Sequence, residues 1–277
     1  MSEQRVLEGR VAVVTAAGAP VGRSIALAMA AHGASVVVND PSHAGETAAQ
    51  TREAGGEAAA SDDPVAEHAG ARRIVEAALD AYGRLDIVVV GPASSPPERL
   101  VSDMGREEWD EAIAVHLKAH FNLIQPASAL MREQRSGRIV TFSSAAGLWG
   151  EIRQAAHGAA TDGVAGLTRV VARDLGRYGV TCNAIAPSAE TLAPGGPAHL
   201  AEAVAAMVVW LASEAASDVN GQVFSVDGGL VGLVSHPSAG RTITKPGAER
   251  WTVEELAALF PATLGMDLPN PAPARPA

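Results

Sequence analysis

The sequence of 277 residues predicts an α/β domain in which a doubly wound parallel sheet of seven strands is covered by helices on both faces. Short, almost continuous apolar segments alternate with longer segments that have the apolar spacing of helices. Uninterrupted apolar strands are typical of parallel sheets buried on both faces, and parallel neighbours need a crossover between them. Because crossovers are right-handed, the pattern leaves few topologies and favours a Rossmann fold.

The elements alternate along the first 230 residues. The seven predicted strands are VAVVTA (11–16), SVVVND (35–40), a weak strand near EAAAS, LDIVVVG (85–91), RIVTFSS (138–144), VTCNAIAP (180–187) and QVFSVDGG (222–229). Helical segments lie between them, the first of which, VGRSIALAMAAHG, ends at Gly33, as helices commonly end at glycine. We therefore predict a Rossmann-type domain over residues 1–230.

The remaining residues, 231–277, are predicted to form a C-terminal extension. A loop-rich stretch follows Gly229, and WTVEELAALF then predicts a short helix, because Thr252 and Glu255 have the spacing of a capping box. The closing PNPAPARPA is rich in proline and predicts a flexible tail.

Composition excludes several classes of partner. The net charge of −10 offers no basic face to a phosphate backbone, so we expect no nucleic-acid partner. The single cysteine, Cys182, permits no internal disulfide and suits a reducing compartment. No segment has signal or membrane-spanning length, so we expect a cytoplasmic protein with no membrane partner. The partner that we expect is a small-molecule substrate.

The first turn between strand and helix, TAAGAPVGR (15–23), is a weak dinucleotide signature. Gly18 and Gly22 would let backbone approach a pyrophosphate, but Pro20 removes an N–H donor. Asp40, at the end of the second strand, could accept the hydroxyls of an adenosine ribose. The alternative is an aspartate that only serves the turn before Pro41.

Several segments in order resemble the short-chain dehydrogenase/reductase family, most closely the (3R)-hydroxyacyl-CoA dehydrogenase domain of peroxisomal multifunctional enzymes and their bacterial relatives. They are VVVND, AYGRLDIVV, EEWDEAIAVHLKAHF, RIVTFSSAAGL, LGRYGVTCNAIAP and VNGQVFSVDGG. The resemblance implies cofactor contacts at Gly18, Val21, Gly22, Asp40 and Asp63. It also places the family's catalytic Asn, Ser, Tyr and Lys on His116, Ser144, His157 and Thr161, and its NNAG motif on VGPA (90–93).

The resemblance implies a degenerate redox site. In the family, an ammonium lowers the tyrosine pKa and holds the nicotinamide ribose, whereas Thr161 can do neither. His157 needs no such help, because an ordinary imidazole titrates at about 6.5. We therefore expect no cofactor, or weakly bound NAD(H).

Three functions stay open: non-redox acid–base chemistry such as dehydration, isomerisation, cyclisation or C–C cleavage; a pseudoenzyme subunit that partners an active dehydrogenase; and an NAD-dependent oxidoreductase with His157 as its acid. The expected catalytic residues are Ser144, His157 and His116, open to solvent. Trp149, Glu151 and Arg153 are expected to line the substrate pocket. We expect no metal, although His116, His120 and His157 could form a three-histidine set.

The resemblance also implies an assembly. In the family the helices corresponding to residues 107–131 and 157–175 usually form a two-fold interface. We therefore expect a homodimer or tetramer, with a hetero-oligomer containing an active paralogue as the alternative.

Overall fold

The computed structural model describes residues 5–93, 96–193, 195–248 and 250–268. The chain divides into two units, Met1–Val234 and Ser235–Ala277. The boundary predicted at residue 230 falls at the start of a strand, and the structure places the division after that strand. Among the described residues, no helix combines the length and apolarity needed to cross a bilayer.

The first unit contains one sheet in the order β3-β2-β1-β4-β5-β6-β7-β8. The strands are β1 Val11–Val14, β2 Ser35–Asn39, β3 Glu57–Ser61, β4 Ile87–Val89, β5 Gly137–Phe142, β6 Val180–Pro187, β7 Val223–Asp227 and β8 Leu230–Leu233. All neighbours are parallel except β7 and β8. The doubly wound parallel sheet is confirmed.

The count of seven strands is wrong, because β8 adds an antiparallel edge strand. Asp227 pairs with Leu230, so Gly228 and Gly229 form a two-residue hairpin loop, and Gly228 has φ +55°. Two glycines between apolar segments are a hairpin signal. The segment after them, LVGL, is too short to show a clear alternation of its own.

Helices cover both faces of the sheet, as predicted. They are α1 Pro20–Ala31, α2 Ala44–Glu53, α3 His68–Tyr82, α4 Arg106–Ile113, α5 Ala119–Gln134, α6 Ala145–Trp149, α7 Ala155–Leu175, α8 Ala189–Leu192 and α9 Ala198–Ala212. A turn of π-helix, Ala114–Lys118, joins α4 to α5.

Two apolar cores lie on opposite faces of the sheet. One contains Ile25 of α1 and Val208 of α9, and the other contains Ile74 of α3 and Leu123 of α5, all fully buried. Burying one such side chain stabilises the fold by about 1.5–3 kcal/mol. The loops at the carboxyl edge of the sheet therefore extend from strands that are packed on both faces.

The second unit contains one α-helix among its described residues, α10 Val253–Leu259. The predicted capping box is present: Glu255 N donates to Thr252 Oγ1 at 3.2 Å, and Thr252 N donates to Glu255 Oε2 at 2.8 Å. The proline-rich tail predicted as flexible lies outside the described residues from 269 onward.

Candidate functional site

Two neighbouring clefts lie at the carboxyl ends of the parallel strands. The Asp40 cleft, of about 330 Å³, is bordered by Gly18, Pro20, Val21, Asp40, Pro92 and Leu192, among others. The Ser144 cleft, of about 290 Å³, is bordered by Glu98, Ser144, Glu151, Gln154, His157 and Leu192, among others. Leu192 of α8 borders both clefts, so the two lie side by side at the sheet edge where Rossmann folds bind ligands.

Asp40 organises the first cleft. Its Oδ2 accepts a hydrogen bond from Gly18 N at 3.1 Å, and its Oδ1 accepts from Ser42 N and His43 N at 3.0 and 2.9 Å. Burial alone would raise the pKa of Asp40, but these backbone donors and the nearby His43 lower it below its ordinary value. A carboxylate offers about four acceptor positions, so about one remains for a ligand hydroxyl.

The turn that holds Gly18 is close-packed. A Cβ on Gly18 would lie 2.6 Å from Asp40 Cγ, and a Cβ on Gly22 would lie 2.2 Å from Ala16 O, so neither position accepts a side chain. Ala16 has φ +51°, a left-handed conformation that costs an L-residue about 1–2 kcal/mol. Pro20 starts α1, where a helix tolerates proline but one donor toward the cleft is lost.

Asp63 has other partners. Its side chain pairs with Arg73 and accepts a hydrogen bond from Ser61 Oγ at 3.1 Å. The structure does not place Asp63 among the residues that border the Asp40 cleft. The other predicted cofactor contacts, Gly18, Val21 and Asp40, do border it, and Gly22 packs behind them against Ala16.

The structure brings together the three predicted catalytic residues. Ser144 and His157 border the same cleft, and the His116 ring meets the His157 ring edge-on with centroids 4.7 Å apart. His116 lies in the turn of π-helix, and such turns are frequent at functional sites. The expectation that the three side chains are open to solvent is wrong: all are buried, because α7 and the π-turn pack against each other.

Only one of the three predicted pocket residues borders the Ser144 cleft. Glu151 does so, whereas Trp149 and Arg153 do not. Trp149 is 61% exposed. Arg153 has φ +65°, and its carbonyl accepts a hydrogen bond from Arg99 N at 2.9 Å.

His157 is suited to accept a proton. Burial lowers its pKa below the ordinary imidazole value, so the ring is neutral at pH 7. Its buried Nδ1 has no hydrogen-bond partner among the described residues. A neutral, buried imidazole at the edge of a cleft is a candidate general base.

Thr161 contacts Ser144 directly. Thr161 Oγ1 lies 2.7 Å from Ser144 Oγ and 2.8 Å from the carbonyl oxygen of His157, one turn earlier in α7. Ser144 Oγ also accepts a hydrogen bond from Gly147 N at 3.1 Å, as the N-cap of α6. The residue at the family's lysine position therefore faces the serine.

His120, four residues after His116, has a structural role. Its Nε2 accepts a hydrogen bond from Phe142 N of β5 at 3.3 Å, so in the neutral ring the proton lies on Nδ1. Burial and the neighbouring His116 lower the pKa of His120 to about 3. Because Nε2 of His120 accepts the hydrogen bond from Phe142 N, His120 is removed as a metal ligand from the three-histidine set considered above.

Comparison with known proteins decides the family. The family model for short chain dehydrogenase matches residues 10–191. The chain belongs to the short-chain dehydrogenase family. It is 40% identical to "Hydroxyacyl-CoA dehydrogenase ChsB1" of Mycobacterium tuberculosis, over 91% of this chain and 87% of that protein. It is 38% identical to "Peroxisomal multifunctional enzyme type 2" of Mus musculus, over 81% of this chain and 32% of that longer protein.

A solved structure is similar over nearly the whole chain. A short chain dehydrogenase from Mycobacterium avium has a TM-score of 0.87 and 39% identity, over 95% of this chain and 97% of that one. The resemblance to hydroxyacyl-CoA dehydrogenases inferred from sequence segments is thus confirmed.

The fit of a nicotinamide dinucleotide to this short-chain dehydrogenase differs between its two ends. The adenosine end fits, because Asp40 keeps an acceptor position for a ribose hydroxyl. At the nicotinamide end Thr161 supplies no ammonium. The inner space, bordered by Gly91, Pro92, His116, Ser144, His157, Thr161 and Leu192 among others, has about 10 Å³. That is room for about one water, whereas the adjoining Ser144 cleft has about 290 Å³.

Sequence reasoning did not single out Leu192, Glu98 or Gln154, which border the clefts. They lie on loops or at helix ends, and no spacing pattern marks them. The alignment of positions 144, 157 and 161 with the family motif does not predict the contact between Ser144 and Thr161.

Proposed function

We propose that this chain is an oxidoreductase that interconverts 3-hydroxyacyl and 3-oxoacyl thioesters, with His157 as the residue that transfers the proton. The observation that carries the proposal is the place of His157: buried, neutral and beside Ser144 at the carboxyl edge of the sheet. The substrate class is supported by the relatives whose names are hydroxyacyl-CoA dehydrogenases.

In this proposal the C3 oxygen of the substrate lies between Ser144 and His157. NAD+ held at the Asp40 cleft would supply the hydride acceptor. His157 takes the proton of the 3-hydroxyl as the hydroxyl carbon is oxidised, and its lowered pKa keeps the ring in the accepting form at neutral pH. Burial of the ring excludes bulk water from the proton-transfer step.

The test is an assay of purified protein with 3-hydroxybutanoyl-CoA and NAD+, followed by nicotinamide absorbance. We expect measurable turnover that falls by about 10²- to 10⁴-fold in His157→Ala, as for loss of a general base. Trp149→Ala, on an exposed side chain outside the cleft, is the matched control and should keep the wild-type rate. Turnover that survives His157→Ala would contradict the proposal.

A second candidate is non-redox acid–base chemistry on the same thioester, above all dehydration at C2–C3. The specific observation in its favour is the nicotinamide end, where Thr161 replaces a cation and the inner space has about 10 Å³. Calorimetric titration with NAD+ and chromatography of the acyl-CoA product separate the two. No nicotinamide binding together with an enoyl-CoA product would favour dehydration, and neither activity would favour a pseudoenzyme subunit.

We also propose a homodimer through α5 and α7. Phe121 on α5 and Val170 on α7 are 53% and 55% exposed, which supports an apolar contact there. Sedimentation of wild type and of Phe121→Glu/Val170→Glu tests this. A wild-type monomer that associates only with a co-expressed dehydrogenase would support the hetero-oligomer instead.

A further inference from the structure

The hydroxyl groups of Ser144 and Thr161 form a chain whose hydrogens can be assigned. Thr161 Oγ1 lies 2.8 Å from the His157 carbonyl oxygen and 2.7 Å from Ser144 Oγ. A carbonyl oxygen only accepts, so a hydrogen bond at that contact requires the single hydroxyl hydrogen of Thr161. The contact with Ser144 must then contain the hydrogen of Ser144.

The opposite assignment is disfavoured. If Thr161 donated to Ser144, no hydrogen would lie between Thr161 Oγ1 and the His157 carbonyl. Two oxygen lone pairs would then face each other at 2.8 Å in a buried place, which is costly where water cannot screen them. The third neighbour of Ser144, Gly147 N, is a donor and occupies one lone pair of the serine in either case.

We infer that Thr161 is a positioning residue that makes Ser144 a hydrogen-bond acceptor toward its cleft. The serine hydrogen points to Thr161, one lone pair accepts from Gly147 N, and the second lone pair remains for a ligand. The site therefore selects a ligand with a donor at this point. With the substrate class taken from the proposed function, the 3-hydroxyacyl thioester can donate its single hydroxyl hydrogen to Ser144 when it binds, and that hydrogen turns to His157 only for proton transfer. The 3-oxoacyl form has no donor at C3, and its carbonyl oxygen would face a lone pair.

Close packing keeps this chain in place. A Cβ on Gly147 would lie 2.5 Å from Thr161 Oγ1, so only glycine lets the turn of α6 approach Thr161. Ser143 Oγ donates to the Thr161 carbonyl at 3.0 Å, which ties the same turn of α7 to the end of β5. Thr161 is buried, so water does not compete for its hydroxyl.

The test compares two ligands that differ only at C3, 3-hydroxybutanoyl-CoA and 3-oxobutanoyl-CoA, by calorimetry without nicotinamide. Wild type should favour the hydroxyl ligand. Thr161→Val, which keeps the shape and removes Oγ1, releases the serine hydrogen and should lower that preference by about 10-fold, the worth of one hydrogen bond. Thr161→Ser keeps the hydroxyl and should restore the wild-type preference.

An unchanged preference in Thr161→Val would overturn the inference. If wild type binds neither ligand, the proposed substrate class fails, and neutron diffraction of deuterated wild-type crystals still decides the role of Thr161. Deuterium on Ser144 Oγ directed to Thr161 Oγ1, with that of Thr161 directed to the His157 carbonyl, supports the inference. Deuterium on Ser144 directed into the cleft refutes it, and this measurement also applies if Thr161→Val does not fold.

Discussion

Replacing His120 by glutamine should make the protein less sensitive to acid. The folded state holds His120 neutral, with Nε2 accepting from Phe142 N, and its pKa is lowered to about 3 from the ordinary 6.5. Between these values the unfolded chain binds a proton that the folded chain does not, so stability falls as pH falls through the window. The amide of a glutamine side chain could keep an acceptor oxygen for Phe142 N without titrating.

The size of the effect follows from the two pKa values. Each pH unit inside the window changes the free energy of unfolding by about 1.4 kcal/mol, so His120 accounts for a loss of about 2 kcal/mol between pH 7 and pH 5. The full window, down to about pH 3, corresponds to about 5 kcal/mol. His157, whose pKa burial also lowers, adds a loss of the same sign that the variant retains.

The assay is urea unfolding at a series of pH values, with the free energy extrapolated to water. The difference between His120→Gln and wild type should shift by about 2 kcal/mol in favour of the variant from pH 7 to pH 5. His68→Gln removes an exposed imidazole and serves as the matched control. Parallel curves for His120→Gln and wild type would refute the assignment of a neutral, buried His120.

Three further predictions concern the turns around the site. Asp40→Asn places an amide against three backbone donors and should cost about 1–3 kcal/mol in urea unfolding, and it should also weaken any binding of adenosine nucleotides measured by calorimetry. Ala16→Gly removes the backbone strain of a left-handed alanine but increases the conformational entropy of the unfolded chain. Thermal and urea unfolding should therefore show a net gain in stability of no more than about 1 kcal/mol. A loss of stability would mean that the Ala16 methyl group contributes to packing. Gly147→Ala forces backbone to shift near Thr161 and should destabilise by about 1–3 kcal/mol, whereas Gly166→Ala, where nothing lies within 4 Å of an added Cβ, should stabilise slightly.

The sequence predicts the sheet well because its signals are local. Continuous apolar segments identify the parallel strands, and Thr252 with Glu255 identifies the start of α10. Strand β8 was missed because four residues carry too little periodicity, although Gly228 and Gly229 before it are a turn signal.

The candidate site is harder to predict because its properties depend on contacts between distant residues. Spacing aligned Ser144, His157 and Thr161 with a family motif, and the structure brings them together. Spacing could not show that Thr161 uses its hydrogen on a backbone carbonyl or that the histidines are buried. Trp149 is an example, because its position in the sequence after the serine loop does not determine where its side chain points.

The place of Leu192 gives this fold a form of thermodynamic linkage. The same side chain borders the Asp40 cleft, the Ser144 cleft and the inner space between them. If a ligand in one cleft displaced Leu192, the room in the other cleft would change, and any resulting change in affinity would be equal in both directions.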